Sequence, residues 1–373
     1  MAVSISTIAL IACHGGPADH FATYAKELTE QGYNVEIHAS GPALEKFKQC
    51  NAKVTYCFSL DAKNLEQDEL AEKIAGNCSR ASIVITDVGH PFDETLQKAL
   101  KEKEITRFAY YDNPESFVPG GYSSTAAKVM KLAQGVFFAN AHLAKDKIYS
   151  ELGKEIDLTG KERIGIGYYP VSQAGVVAKK RETEHEAKRA EFLKKLDIED
   201  TGQKVCVYFG GNNEEYFERA FPAFLSFLKA EDLNLENVVI VVHQHPGAKK
   251  ENLDVQKLDA CLKNFSDKPK VIVSDFSSDD AQVLADVALY YQTSMAPQFI
   301  LSGIPTVQVG HEKYEDILVR NHLASTATNS EEFVHHLKDM KEQPKEAIFK
   351  GLGYEEKWPE NLKKAIQGNM LRK

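Results

Sequence analysis

This sequence lacks several common signatures, and each absence excludes a class of protein. Its 373 residues include only six cysteines, which lie far apart or inside apolar runs. They form neither the C-x-x-C pairs of a zinc site nor the dense framework of a small secreted domain, and this usage fits a reducing cytoplasm. The formal net charge of −9 is spread along the chain without a long basic tract, so no nucleic-acid partner is expected.

Long hydrophobic runs are also missing. No segment reaches the roughly 18 apolar residues of a membrane span, so no integral membrane segment is expected. The N-terminal "MAVSISTIALIACHGG" is apolar, yet it lacks the basic region of a signal peptide and leads into a glycine turn. We therefore predict a first strand there and a cytoplasmic location, with peripheral membrane association left open.

The sequence does contain a regular alternation of short apolar runs with amphipathic stretches. This alternation is typical of parallel sheets with crossover helices. The predicted strands of the first half are "STIALIAC", "NVEIHAS", "KVTYCFSL", "ASIVITD", "TRFAYYD" and "GVFFAN". Those of the second half are "KVCVYFGG", "NVVIVVHQH", "KVIVSDF", "VALYYQTS" and "PTVQVG".

The chain length suits two domains of about 150 to 200 residues. The alternation of predicted strands and helices indicates an N-terminal domain over residues 1–170 and a C-terminal domain over 201–350. Residues 171–200 are highly charged and are predicted to form a solvated linker helix. A final helix over 351–373 is expected to pack back on the N-terminal domain. The fold class is therefore α/β, with two tandem Rossmann-like, doubly wound domains facing a central cleft, and ligands are expected at the carboxyl ends of the strands.

In the N-terminal domain, polar residues follow the first, fourth and fifth strands. His14, Gly15 and Gly16 form a turn that could approach a ligand, although such glycine turns are also commonplace. Asp112 ends the strand "RFAYYD" and is predicted to act as a general base, unless it only forms an Asx-turn before a proline. His90 and Glu115 are acceptor-side candidates, and a helix cap is the alternative for the His90 loop.

In the C-terminal domain, the turn "FGGNNEE" offers Gly210, Gly211 and Asn212 to a phosphate. Thr293 and Ser294 end a later strand and precede a helix, where hydroxyls and amides are good phosphate donors.

The stretch "VVHQHPGA" places two histidines at the end of a predicted buried strand, and their role has to be assigned. A metal site at His243 and His245 would require further ligands, so these two residues are not expected to share a metal ion. One is predicted to face the ligand and the other to pack. Phe276, at the next strand end, could meet a nucleobase or pack in the core.

Taken together, these elements resemble the GT-B fold of nucleotide-sugar glycosyltransferases. The segment "ADVALYYQTSMAPQFILSGIPTVQV" is similar to the part of that fold that lines the donor phosphate site. Within the fold, His245-Pro246, Thr293-Ser294 and Asp112 are similar to motifs of bacterial sialyltransferases. The resemblance implies donor phosphate binding by His245, Thr293 and Ser294, and acceptor deprotonation by Asp112. Gln298 stands where many GT-B enzymes carry a ribose-binding glutamate.

The leading hypothesis is a metal-independent glycosyltransferase that needs no cofactor and takes a nucleotide sugar as co-substrate. It would transfer the sugar to a carbohydrate or other hydroxyl acceptor, with Asp112 as base and His245 offsetting charge on the leaving phosphate. One alternative is a non-hydrolysing nucleotide-sugar epimerase of the same fold. It needs several acid–base residues around the sugar, and His14, Asp87, His90 and Glu115 could be recruited for that. The other is a non-catalytic nucleotide- or sugar-binding protein.

Overall fold

The computed structural model describes residues 6–60, 64–118, 122–150, 153–168, 171–211, 213–228, 238–245, 253–263, 271–274, 276–293 and 295–370. The chain divides into two units. Unit 1 consists of Met1–Tyr169 together with Gly353–Lys373, and unit 2 consists of Pro170–Leu352. The C-terminal segment thus belongs to the same unit as the N-terminal half.

Among the residues that the structure describes, unit 1 has nine strands: β1 (Thr7–Ala12), β2 (Asn34–Ala39), β3 (Tyr56–Cys57), β4 (Ile83–Thr86), β5 (Arg107–Tyr111), β6 (Phe117–Val118), β7 (Gly135–Phe138), β8 (Tyr149–Ser150) and β9 (Glu162–Gly165). Seven of them form one parallel sheet in the order β3-β2-β1-β4-β5-β7-β9, and β6 pairs with β8. The order 3-2-1-4-5 is that of a doubly wound Rossmann-like sheet.

Helices cover both faces of this sheet: α1 (Gly15–Glu30), α2 (Gly41–Gln49), α3 (Asn64–Asn77), α4 (Pro91–Glu102), α5 (Tyr122–Leu132) and, from the end of the chain, α14 (Trp358–Met370). Alternate residues of β1 serve opposite faces. Ile8 and Leu10 pack in the core that includes Trp358, whereas Ala9 and Ile11 pack in the core beneath α3 and α4. A strand covered on both faces must be apolar throughout, which explains the unbroken hydrophobic run in its sequence.

Unit 2 contains a second parallel sheet of six strands: β10 (Lys204–Phe209), β11 (Val238–His243), β12 (Val271–Ser274), β13 (Val287–Tyr290), β14 (Thr306–Val309) and β15 (Ser325–Ala327). Their order, β12-β11-β10-β13-β14-β15, repeats the Rossmann-like pattern. The helices are α6 (Val171–Lys195), α7 (Phe221–Phe227), α8 (Leu253–Leu262), α9 (Ser278–Leu284), α10 (Ala296–Leu301), α11 (Ile317–Arg320), α12 (Ser330–Lys338) and α13 (Lys345–Leu352). A π-helical turn over Tyr216–Ala220 precedes α7.

The segment interpreted as a solvated linker is largely α6, and α6 belongs to unit 2. It packs along α9, and charged side chains take part in this contact. Arg181 donates to the carbonyls of Gln282 and Ala285, at 2.9 and 2.5 Å. His185 bonds both the Val283 carbonyl and Asp286, at 2.8 and 3.0 Å. The charges that suggested a solvated helix therefore satisfy the polar groups at the end of α9.

The prediction of two doubly wound α/β domains is confirmed. The sequence analysis missed the edge strands β9 and β15, which are only four and three residues long. Within the described residues, no helix has the length and apolarity needed to cross a membrane. In unit 1, the order of the sheet makes β1, β4 and β5 neighbours, so their carboxyl ends lie side by side.

Candidate functional site

Acid–base residues follow three neighbouring strands of unit 1. His14 comes after β1, Asp87 after β4 and Asp112 after β5. Because these strands are parallel and adjacent, the three side chains leave the sheet at the same edge. All three residues were candidates from the sequence, and the structure brings their side chains to one sheet edge.

Asp87 is fully buried and holds the turn after β1. Its Oδ2 accepts hydrogen bonds from the backbone N–H groups of Cys13 and His14, at 2.8 and 3.1 Å. The same oxygen lies 3.2 Å from Nδ1 of the His14 ring. An ionised carboxylate only accepts hydrogen bonds, so Nδ1 of His14 must carry the hydrogen.

The two members of this pair stabilise each other's charged form. The hydrogen bond to Asp87 raises the pKa of His14 above its ordinary value, against the opposing effect of burial. Burial alone would raise the pKa of Asp87, but hydrogen bonds from His14 and Asp93 hold it below its usual value. The pair therefore presents an oriented imidazole whose side chain remains 38% exposed.

Asp112 is a second acid–base group at the same edge. Its burial, followed by the charge of Asp87, raises its pKa to about 6. A carboxyl group with a pKa close to neutrality can both take up and release a proton at physiological pH. A Cβ atom at Gly16 would lie 2.5 Å from Oδ2 of Asp112. Gly16 thus leaves the space that the carboxylate occupies at the start of α1.

The other acceptor-side candidates of unit 1 take part in local hydrogen bonds, and their roles towards an acceptor stay predictions. His90 is the N-cap of α4, and its Nδ1 accepts a hydrogen bond from the N–H of Phe92 at 3.1 Å. Its ring centroid lies 6.0 Å from that of His14. Glu115 lies in the turn after β5, where its N–H donates to Asn113 Oδ1 at 3.0 Å. The Asx-turn before Glu115 is therefore formed by Asn113, which leaves the Asp112 carboxylate for other contacts.

Gly15, the remaining residue of the first glycine turn, has open space around it. No heavy atom lies within 4 Å of a Cβ built at this position. The two glycines of the turn therefore differ, since only Gly16 is in close contact with another group of the site.

Unit 2 has a cavity of about 200 Å³ at the ends of its central strands. Four of the residues predicted to bind phosphate line this cavity, namely Gly210, Gly211, His245 and Thr293. The remaining lining residues are Asn213, Tyr216, Tyr291 and Gln292. Glycine amides, a hydroxyl and an imidazole are the groups that commonly bind a phosphate without a metal.

The glycines of this cavity also make room for a tyrosine. A Cβ at Gly210 would lie 2.8 Å from the hydroxyl of Tyr216, and one at Gly211 would lie 2.9 Å from its Cγ. The Tyr216 hydroxyl donates to Oδ1 of Asp254 at 2.8 Å, and Asp254 is fully buried. Burial raises the pKa of Asp254. The wall of the cavity is thus fixed by a buried tyrosine–aspartate pair.

The two histidines of "VVHQHPGA" have different environments because β11 ends at His243 and His245 lies beyond it. Within a regular strand, residues two apart would point to the same face. His243 is 5% exposed, lies edge-on to Phe209 and is 3.1 Å from the Ser278 hydroxyl. His245 lines the cavity, and burial lowers its pKa below the ordinary value. The histidine available to a ligand is therefore His245, in a largely neutral form at neutral pH.

Three predicted phosphate residues, Asn212, Pro246 and Ser294, lie outside the described residues. Phe276 lines a different cavity, of about 230 Å³, and its ring centroid is 5.7 Å from that of Phe192 on α6. Gln298 lies in α10 and is partly exposed. The ribose-binding role of Gln298 and the nucleobase role of Phe276 stay predictions.

The sequence analysis did not identify several residues that shape these sites: Cys13, Asp93, Tyr216, Asp254 and Tyr291. Asp93 and Asp254 stand in the first turn of a helix, where an acidic residue ordinarily stabilises the helix end from the solvent. Their burial arises from elements distant in the sequence. No local signal separates them from exposed aspartates at helix starts.

Two groups of described residues have the spacing of metal ligands: Cys13 with Asp87 and Asp93, and Glu215 with His311 and Glu312. In the first group, Asp87 Oδ2 already accepts two backbone N–H groups and the His14 ring hydrogen, and the Cys13 thiol lies 3.8 Å from Asp93 Oδ1. In the second, His311 Nε2 lies 3.2 Å from a Glu215 oxygen, and the Glu312 side chain is 58% exposed. Hydrogen bonds and ion pairs within each group account for these spacings, and the expectation of a metal-independent reaction stays a prediction.

Comparison with known proteins gives no match by sequence. No family model matches the chain, and no curated protein matches it.

Comparison of folds does give matches over nearly the whole chain. The UDP-GlcNAc 2-epimerase of Methanocaldococcus jannaschii superimposes with a TM-score of 0.69 at 12% identity, over 97% of this chain and 99% of that one. The UDP-GlcNAc 2-epimerase of Neisseria meningitidis, solved with UDP-GlcNAc bound, gives 0.63 at 11% identity, over 98% and 100%. A glycosyltransferase from Rickettsia africae gives 0.61 at 12% identity, over 99% and 94%. The chain therefore has the GT-B-like fold shared by nucleotide-sugar epimerases and glycosyltransferases.

Proposed function

We propose that this protein acts on a nucleotide-activated sugar and inverts the configuration of one carbon of that sugar, as an epimerase does. The observation that carries the proposal is the presence of two acid–base systems at one sheet edge. These are the His14–Asp87 pair and Asp112, whose pKa is about 6.

The chemistry of inversion explains why two systems matter. At the carbon next to the anomeric centre, a base takes the proton from one face, and the electron pair of the C–H bond forms a double bond as the anomeric C–O bond to the nucleotide phosphate breaks. A proton is then delivered to the opposite face as the phosphate adds back to the anomeric carbon, which restores the C–O bond. One group must accept the first proton and another must supply the second. Asp112 suits the first role because its carboxyl group is ionised just above pH 6. His14 suits the second because its pKa is raised and its ring is oriented by Asp87.

In this proposal, the cavity of unit 2 binds the diphosphate of the nucleotide. Its glycine turn, Thr293 and His245 supply neutral hydrogen-bond donors to an anion. The fold agrees with this assignment, because the Neisseria epimerase of the same fold binds UDP-GlcNAc.

A glycosyltransferase is the second candidate. Asp112 alone could take the proton of an acceptor hydroxyl, and a glycosyltransferase shares the fold. This candidate includes the finer resemblance to sialyltransferases. It gives no role to the His14–Asp87 pair, and for that reason we prefer the epimerase.

The test is an incubation with UDP-GlcNAc in deuterium oxide, followed by proton NMR. An epimerase gives a second UDP-sugar with deuterium at the inverted carbon. Asp112→Asn and His14→Gln should each abolish deuterium incorporation, whereas Asp68→Asn, an exposed aspartate on α3, should not.

Other outcomes would separate the alternatives. UDP released only when an acceptor sugar is added indicates transfer. Binding of several nucleotide sugars without turnover of any indicates a binding protein. Either result would contradict the proposed epimerase.

A further inference from the structure

His14, Asp87 and Asp112 form a strand-end cluster in unit 1. This cluster contains a fourth polar group, Asp93, which the proposed reaction does not use. Asp93 lies in the first turn of α4 and is completely buried, as is Asp87. One oxygen of each carboxyl group and the Cys13 sulfur all lie within 4.8 Å of one another. Two carboxyl groups are thus held together away from solvent.

Two adjacent buried carboxylates cannot both be ionised without a nearby cation. Among the described residues, the one ion pair of these two carboxyl groups joins Asp87 to His14. The other titratable groups that face them are the Cys13 thiol, His90 at the start of α4 and Asp112 at the end of β5. Of these groups, only His14 provides positive charge, and it provides one charge for the two carboxyl groups.

The hydrogen bonds identify which carboxyl group is the anion. Asp87 Oδ2 receives two backbone N–H groups and the His14 ring, all of which favour the charged form. Asp93 receives one backbone N–H, from His90 to Oδ2 at 2.8 Å, and the weak thiol donor of Cys13, which lies 3.8 Å from Oδ1. Asp87 Oδ1 is buried and accepts no hydrogen from any other described N–H or O–H. A proton on Asp93 would satisfy that oxygen.

We propose that Asp93 is a neutral acid whose proton is shared with Asp87, and that it is a positioning residue for His14. The shared proton satisfies Asp87 Oδ1 and leaves Oδ2 to hold the His14 ring. The strand-end cluster then carries one negative charge beneath His14 instead of two. The pKa shifts agree with this assignment, since burial and the charge of Asp87 raise the pKa of Asp93 well above its ordinary value. The effect on turnover rests on the proposed function, whereas the protonation state does not.

An asparagine tests the protonation state, because it reproduces a neutral acid. In Asp93→Asn, the amide oxygen can accept the His90 N–H and the amide N–H can donate to Asp87. The measurement is a pH titration of the His14 ring by NMR in the intact protein without substrate, with His14→Gln used to assign its signal.

The expected results depend on whether one or both of the carboxyl groups of Asp87 and Asp93 are ionised. Asp93→Asn should move the His14 midpoint by less than about 0.3 pH unit, whereas Asp87→Asn should lower it by about one unit or more. If Asp93→Asn lowers the midpoint as far as Asp87→Asn does, Asp93 is ionised and the proposal is wrong. Because no substrate is present, this result stands apart from any failure to detect an epimerase.

Two further measurements test the positioning role and the competing explanation. Asp93→Ala should raise the His14 midpoint and shift the pH profile of turnover, and Asp93→Asn should restore both. An unchanged titration in Asp93→Ala would contradict the positioning role. If the alanine variant does not fold, the asparagine result decides alone. Metal analysis of the purified protein should find no stoichiometric divalent cation that is lost in Asp93→Asn, because a bound cation would replace the shared proton.

Discussion

The two glycine turns of this protein occupy the same place in two sheets of the same strand order, yet they make room for different groups. Beside Gly16 lies the carboxylate of Asp112, and beside Gly211 lies the ring of Tyr216. The first turn borders a cluster of titratable groups, whereas the second borders a cavity of about 200 Å³ lined by neutral donors. A glycine turn after the first strand is common to both units, and the side chains that lie beside each turn decide its chemistry.

Removing the base of unit 1 should have the largest effect. Asp112→Asn keeps the shape of the carboxyl group but cannot take up a proton, so turnover should fall by a factor of about 10²–10⁴. Steady-state kinetics with UDP-GlcNAc, with Asp68→Asn as the matched control, would measure the loss. The affinity for UDP should stay unchanged, because this proposal assigns the diphosphate to unit 2.

The same variant should be more stable than the wild type. A carboxyl group whose pKa rises on folding, here to about 6, destabilises the folded state at pH values above its unfolded pKa. Asp112→Asn should therefore raise the unfolding midpoint of unit 1 at pH 7. Trp358, the single tryptophan, is buried in unit 1 and reports this transition by fluorescence. Loss of both activity and stability would mean that the residue has a structural role instead.

The glycines of the first turn provide a matched pair for the second largest effect. In Gly16→Ala, the new methyl group would lie 2.5 Å from Asp112 Oδ2 and displace the carboxylate. Turnover should fall by about 10²-fold, as for other displacements of a catalytic group by about 1 Å. Gly15→Ala meets nothing within 4 Å and should behave like the wild type. Equal activities of the two variants would contradict the placement of Asp112 beside this turn.

The corresponding test of unit 2 concerns binding rather than turnover. His245 is expected to donate a neutral hydrogen bond, so His245→Ala should weaken UDP binding by about tenfold, or about 1.4 kcal/mol. Isothermal titration calorimetry measures the change, and His335→Ala, an exposed histidine on α12, is the control. His14→Ala should leave the affinity for UDP unchanged. If His14→Ala weakens UDP binding more than His245→Ala does, the assignment of diphosphate binding to unit 2 is wrong.

A change of pH should affect turnover through the groups of unit 1 and the free energy of unfolding through His185 of unit 2. His185 donates through both ring nitrogens, to the Val283 carbonyl and to Asp286, and the bond to Asp286 raises its pKa. The stabilisation from a raised histidine pKa is fully present below about pH 6.5 and is lost as the pH rises through the folded value. His185→Gln should thus cost about 1–3 kcal/mol at pH 6 and less at pH 9.

Two spectroscopic signals assign this last effect to a unit. The far-ultraviolet circular dichroism transition should shift in His185→Gln, whereas the Trp358 fluorescence transition should not, because the tryptophan lies in unit 1. His335→Gln serves as the exposed control. A shift that is independent of pH would contradict the charged state of His185.

Much of the architecture follows from local pattern. The unbroken apolar run of β1 and the glycine turn after it predict a buried parallel strand, since such a strand is covered on both faces. The packing of α6 does not follow from its local sequence pattern. Its charges predict a solvated helix, and only the carbonyl groups exposed at the end of α9 make them internal partners.

The same limit applies to the candidate site. The sequence by itself determined that Asp112 ends a buried strand, that His14 opens a glycine turn and that His243 and His245 stand at the end of a buried strand. Only the tertiary structure decided that Asp87 holds the turn after β1, across 74 residues of sequence, and that Asp93 shares its buried environment. The physical reason is that strand ends are fixed by local periodicity, whereas the proton affinity of a side chain depends on neighbours and burial that distant segments bring together.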